Sequence, residues 1–249
     1  MRITYFLIAL LSIVACKEKP TETDALATKG NSVSNPQGLE NPFLGAWIHP
    51  YYSAALAKSK SAYALKAFNS PVSELVVSQE AIVLVHNNSE GETLGYKLQK
   101  DEGETIGVLD NKAKLIALRK DRLRLMQGKA EVPFIKSPEP SAGVSVFETL
   151  VRSELIVGTY SGAGEETSFM INGDVTGLLN FVNYRVITRF DDLGDFDMME
   201  FTSLSGEKKY MGWEVKKDEL ILYEVIEGGD YVYAKGKEQF RLTLKQAMS

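Results

Sequence analysis

The side chains able to do chemistry are few and scattered. One cysteine, Cys16, closes the run Leu11-Ser12-Ile13-Val14-Ala15-Cys16. With no second cysteine, no disulfide can form within the chain. His49 and His86 are the only imidazoles. The sequence contains no His-x-x-Glu-His, paired histidine, Gly-x-Ser-x-Gly or phosphate-cradling glycine loop. Carboxylates are abundant, and the densest run is Asp191-Asp192-Leu193-Gly194-Asp195-Phe196-Asp197. Alternate carboxylates suit a hard cation such as calcium, but an EF-hand loop needs a Glu at its twelfth position and none stands there. The run reads as a solvated hairpin turn. No enzyme, cofactor or metal site is expected from these residues. A carboxylate pair that meets only in space would not be visible in a linear chain.

Ahead of Cys16 lie one basic residue, Arg2, and an apolar stretch from Ile3 to Val14. Ile13 and Val14 at −3 and −2, Ala15 at −1 and then Cys resemble the lipobox of bacterial lipoproteins. The resemblance implies cleavage before Cys16, diacylation of its sulfur and, often, acylation of the new amino terminus. An acylated sulfur is no nucleophile. The stretch is short of the roughly 20 apolar residues that span a bilayer. An ordinary signal peptide more often ends small-x-small, whereas Ile13 stands at −3. Each buried methylene contributes about 0.8 kcal/mol, so two or three acyl chains hold the protein stably on a membrane. Lys17 follows Cys16, where enteric bacteria use Asp to retain lipoproteins in the inner membrane. The same resemblance therefore implies a cell-envelope protein of the outer membrane, on its periplasmic or surface face.

Removal of residues 1–15 leaves 234, enough for one large β domain or two small ones. Residues 16–42 are polar and rich in turn formers. They read as a flexible tether with too little apolar surface to offset ordering entropy. Ser137-Pro138-Glu139-Pro140-Ser141-Ala142-Gly143 punctuates the remainder as a linker, dividing it into modules over 43–136 and 144–249. Charge is uneven across this boundary. Residues 1–136 hold 17 Lys/Arg against 14 Asp/Glu, or +3, and residues 137–249 hold 11 against 19, or −8. The basic side is the one expected nearer an anionic surface.

The elements that position these groups are mostly strands. Period-two alternation predicts strands over 44–48, 74–78, 82–86, 93–99, 105–109, 114–118 and 122–126. A second set covers 155–161, 167–171, 176–181, 184–190, 197–202, 208–215, 219–225, 231–234 and 240–244. One helix is expected over 53–68, with Leu56, Tyr63, Ala64, Ala67 and Phe68 on one side and Asn69-Ser70-Pro71 as its stop. The fold class is all-β: antiparallel meander barrels or sandwiches. Three strings echo between the halves, at 45/158, 95/212 and 123/242, and suggest two similar modules. Gly45-Ala46-Trp47 resembles the Gly-x-Trp of lipocalin-like barrels, where the Trp packs across the closed barrel base. Gly158-Thr159-Tyr160 departs from it by carrying Tyr.

A barrel of that kind offers a lined interior. Trp47, Tyr96, Tyr160, Trp213 and Tyr223 are the candidate binding residues for a small apolar ligand. The alternative is an envelope or surface interaction protein that meets a protein or polysaccharide with its outer faces. Lys112, Lys114, Arg119, Lys120, Arg122 and Arg124 form a basic pair of strands, with Leu123 and Leu125 expected inward. Such a face blunts an edge or contacts anionic lipid or polysaccharide. A lipid-anchored acidic chain is not expected to bind nucleic acid.

Overall fold

Alternating residues place every second side chain in an interior, and the strands use this pattern twice. The computed structural model describes residues 38–249 except 67, 69, 71, 87–89, 142, 189–194, 229–232 and 247–249. Cys16 and its flanks, and most of the acidic run, lie outside the described residues.

The first sheet comprises β1 (Gly45–Ile48), β2 (Glu74–Val77), β3 (Ile82–His86), β4 (Glu90–Leu94), β5 (Tyr96–Asp101), β6 (Glu104–Leu109), β7 (Lys114–Arg119), β8 (Arg122–Gln127) and β9 (Ala130–Lys136). The second comprises β10 (Gly158–Ala163), β11 (Glu165–Phe169), β12 (Val175–Thr176), β13 (Phe181–Ile187), β14 (Met198–Ser203), β15 (Lys208–Lys216), β16 (Glu219–Glu227) and β17 (Tyr233–Gln246). Each sheet is an antiparallel meander whose first strand pairs with its last, β1 with β9 and β10 with β17. Among the described residues, no strand pairs with the other sheet. Both are nearly closed barrels, an arrangement that removes exposed edges.

The first barrel crosses its own seam by a bend. β4 pairs with β3, β5 pairs with β6, and only Gly95 lies between β4 and β5. Gly95 donates its N–H to Asp110 Oδ2 at 3.0 Å and accepts the Asp110 N–H at 3.1 Å. β4 and β5 are thus two halves of one bent strand. Counted this way, each barrel has eight strands. Of the three echoed strings, only 45/158 falls on equivalent strands, the first of each barrel. Gly95 lies in the fourth strand and Gly212 in the sixth. Leu123 lies in the seventh and Leu242 in the eighth.

Glycine matters at β1 because Gly45 has φ +111°, and a Cβ there would sit 2.1 Å from Lys136 Nζ. That space lets Lys136 reach the Leu44 carbonyl and lie 4.5 Å from the centre of the Trp47 ring. Trp47 points into the first barrel and donates its indole N–H to the Phe43 carbonyl at 2.7 Å. Its neighbours Ala46 and Ile48 point out, yet both are fully buried. They join a core that continues into the second barrel.

Two helical pieces form that junction. α1 (Pro50–Ser59) has Pro50 at its first position and the His49 side chain accepting the Tyr51 N–H. It ends where Lys60 turns left-handed, at φ 54°, and a 3-10 turn follows over Tyr63–Leu65. The helix is therefore earlier and shorter than the expected 53–68. The second piece, α2 (Val146–Val151), continues as a π-helical turn over Arg152–Ile156. Its start carries a capping signature, Ser145-x-x-Glu148, with Ser145 Oγ accepting the Glu148 N–H at 2.9 Å. Every residue of α2 is buried. Buried on every side, with Glu148 and Thr149 among its residues, α2 sets no apolar stripe against a wet face, which is why periodicity misses it. It also displaces the expected strand at 155–161, which begins instead at Gly158.

Candidate functional site

The aromatic candidates do not converge. Trp47 and Tyr96 lie in the first barrel's core, Tyr160 and Trp213 in the second's, each at 3% exposure or less. Tyr96 donates its hydroxyl to the Ser78 carbonyl, and Tyr160 to the Ile156 carbonyl, both at 2.7 Å. Burial raises the pKa of both phenols. In the second barrel the rings fill the interior against one another. Phe169 meets Tyr160, Tyr184 and Phe201 edge-on, with centroids 5.7, 5.1 and 6.4 Å away. Tyr223 is on the outer face. Its hydroxyl donates to Glu214 Oε2 at 2.9 Å, Lys235 lies 3.6 Å from its ring centre, and burial with the Glu214 carboxylate pushes its pKa up to about 12.

The seam of the second barrel is closed by side chains. β12 is two residues long, and one isolated bridge, Asp174 with Asn183, links its end to β13. α2 supplies the rest. Glu148 Oε1 accepts the Val186 N–H at 3.0 Å and pairs with Arg152 at 2.6 Å. Arg152 donates to the carbonyls of Ile171 at 3.2 Å and Tyr184 at 3.3 Å. Both side chains are almost fully buried. They stand in for a missing stretch of ladder, since buried backbone groups need partners.

Two more buried carboxylates cross between the barrels. Glu74, on β2, accepts the Val146 N–H at 2.9 Å and also the Phe147 N–H. Asp197, just before β14, accepts the Tyr63 N–H at 2.6 Å, with Ser61 and Ala62 adding contacts. Each barrel thus caps a helical turn at the start of, or packed on, the other. Desolvation raises both carboxyls to about 7, outweighing the hydrogen bonds that act against it. Among the described residues, Glu74 Oε1 has no hydrogen-bond partner. The acidic run is partly used here too, because Asp195 Oδ1 accepts the Tyr63 hydroxyl at 2.6 Å. Among the described residues no three metal-ligating side chains cluster.

Beside Glu74 a cleft of about 520 Å³ opens between the barrels. Arg185, Thr188, Glu200 and Tyr210 line its second-barrel wall, and Val85 and Gly91 its first-barrel wall. Lys208 at 2.9 Å and the Tyr210 hydroxyl at 2.9 Å hold Glu200 and lower its pKa, although desolvation opposes them. Arg185 approaches Glu148 Oε2 at 3.5 Å while more than half exposed. Sequence reading missed this cleft. Its residues alternate as ordinary outward strand positions, and only the juxtaposition of two barrels makes them a site.

A second groove, of about 690 Å³, lies where the chain enters the first barrel. Leu39, Asn41 and Pro42 form one side, and Leu118, Arg119 and Lys120 the other.

Fold and site together define a class: paired meander barrels with packed cores, joined through a helical junction. No family model matches the chain, and no curated protein or solved structure matches it either.

Proposed function

We propose that this chain is a lipid-anchored cell-envelope interaction protein, held at the outer membrane through Cys16, that engages a protein or polysaccharide with its exterior and performs no catalysis. One observation carries this reading: of the side chains that could line an apolar ligand pocket, Trp47, Tyr96, Tyr160 and Trp213 are packed in the two cores, and Tyr223 lies on an outer face with its hydroxyl on Glu214. The recognition surfaces left are external. They are the cleft lined by Arg185, Glu200 and Tyr210 and the loop ends of the second barrel, where Leu179 and Leu204 are 67% and 80% exposed. Leu204 donates its N–H to the Asn180 carbonyl at 3.1 Å, which fixes those two ends beside each other. Paired exposed leucines on an otherwise polar end suit a protein contact.

The competing reading is a small apolar ligand inside a barrel. Native mass spectrometry of protein extracted from its own envelope separates the two. The expected mass is the acylated chain alone. A stoichiometric apolar adduct, lost on substitution of Trp47 or Tyr160, would overturn the interaction reading.

A further inference from the structure

The hairpin that joins β7 to β8 carries Leu118, Arg119, Lys120 and Arg122, all exposed, with Leu118 at 45%. Arg119 and Arg122 face each other across the ladder. Like charges directly opposite are destabilising, so this tip works against the fold that holds it. Nearby cations on the same strands are neutralised: Lys114 by Asp101 at 3.5 Å, Arg124 by Glu131 at 3.0 Å. Among the described residues, Arg119, Lys120 and Arg122 form no ion pair. Asp121 in the turn is the one acid among them.

The hairpin's position adds the second observation. Its tip borders the groove whose other side is Leu39, Asn41 and Pro42, at the start of the described residues. The 22 residues 16–37 separate this point from Cys16. Even fully extended, they reach about 75 Å. An acyl anchor on Cys16 therefore confines this end of the first barrel to a shell next to the bilayer. The charge imbalance agrees, since the net basic half carries the hairpin and the half at −8 lies beyond it.

We infer that the β7–β8 hairpin and its groove form a docking face for an anionic phospholipid surface, the same membrane that holds the anchor. Arg119, Lys120 and Arg122 meet lipid phosphates, and Leu118 enters the headgroup layer. This orients the pair of barrels with the acidic one outward. The inference rests on the anchoring reading, but its chemistry needs no acyl group.

The test uses the mature chain, residues 16–249, with Cys16→Ser so that binding reflects the folded face alone. It is incubated with phosphatidylcholine vesicles, with or without 30% phosphatidylglycerol, and sedimented. We expect binding to the anionic vesicles only, weakening as salt rises. Each surface cation contributes roughly fivefold. The variant Arg119→Ala/Lys120→Ala/Arg122→Ala is therefore expected to bind roughly 100-fold more weakly, with a melting temperature no lower than that of the wild type because the opposed Arg119–Arg122 pair is gone. Lys217→Ala, on the other barrel, should leave binding intact. Equal binding to both vesicle types overturns the inference. So does retained binding by the triple variant, or binding to a soluble anionic polysaccharide without binding to vesicles. Failure here leaves the anchor itself untouched, because acylation of Cys16 is read separately from the mass of the native protein.

Discussion

Glu74 and Asp197 are reciprocal: the first barrel's carboxyl caps α2 ahead of the second, and the second barrel's carboxyl caps the 3-10 turn packed on it from the first. Both are buried and both are raised to about 7. In the unfolded chain they release protons near pH 4. Between about pH 4 and 7 the folded state therefore binds more protons, and stability falls as pH rises across that window. Each group is worth on the order of 3 kcal/mol. His49, whose pKa is lowered by burial, acts the other way below its unfolded value. The difference between variants isolates the carboxyls. Urea unfolding at pH 5 and pH 8 should show wild type losing more stability at pH 8 than Glu74→Gln does. Identical pH profiles would remove Glu74 from this role.

The Glu148–Arg152 pair should be costly to break from either side. Truncating one partner leaves a buried charge and unpaired backbone groups at Val186 or Tyr184, about 3–5 kcal/mol. A domain holds about 5–15 kcal/mol in total. Arg152→Ala and Glu148→Ala are each expected to lower the melting temperature by ten degrees or more. A drop of a degree or two in both would show that the seam does not depend on them.

Trp47 and Trp213 are structural rings. Trp47→Ala removes the indole bond to Phe43 and leaves a cavity under Lys136, and a buried Trp truncation costs about 3–5 kcal/mol. Trp213 differs in that its indole N–H is buried without a partner among the described residues. Trp213→Phe is therefore expected to be better tolerated than Trp47→Phe. Thermal melts of the two phenylalanine variants decide it, and the reverse order would contradict these assignments.

Much of the first barrel was legible because one face of each strand is wet. β8 reads Arg-Leu-Arg-Leu, and Leu123 and Leu125 are buried with Arg122 exposed. Legibility ended where the second barrel covers an outer face. Glu74 alternates with Leu75 and Val77 like a solvated position, yet α2 buries it. α2 has no wet face, and its capping signature is what marks it in the sequence. The basic hairpin was visible as residues but not as a neighbour of the chain's point of arrival, because Leu39 and Leu118 are far apart in sequence. The seam pair Glu148–Arg152 has i,i+4 spacing that usually means a surface salt bridge. Only the short β12 turns it inward.

The shared core has a consequence for the segment 138–143, most of which is exposed. Ile48, Tyr52, Leu56 and Leu65 from the first half pack in one cluster with Phe147, Val151 and Ile156 from the second. A protease cut within 138–143 should leave the two fragments together. Gel filtration of the nicked protein is expected to give one peak at the intact position. Two separate peaks would show the modules to be independent.

Cys16 decides how the protein is held. Intact mass spectrometry of the native protein, extracted in detergent, measures it most directly. The expected species begins at Cys16 and carries the mass of two or three acyl chains, and Cys16→Ser yields no such species. A mature protein beginning at any other residue, or one beginning at Cys16 without acyl mass, would contradict the anchored reading.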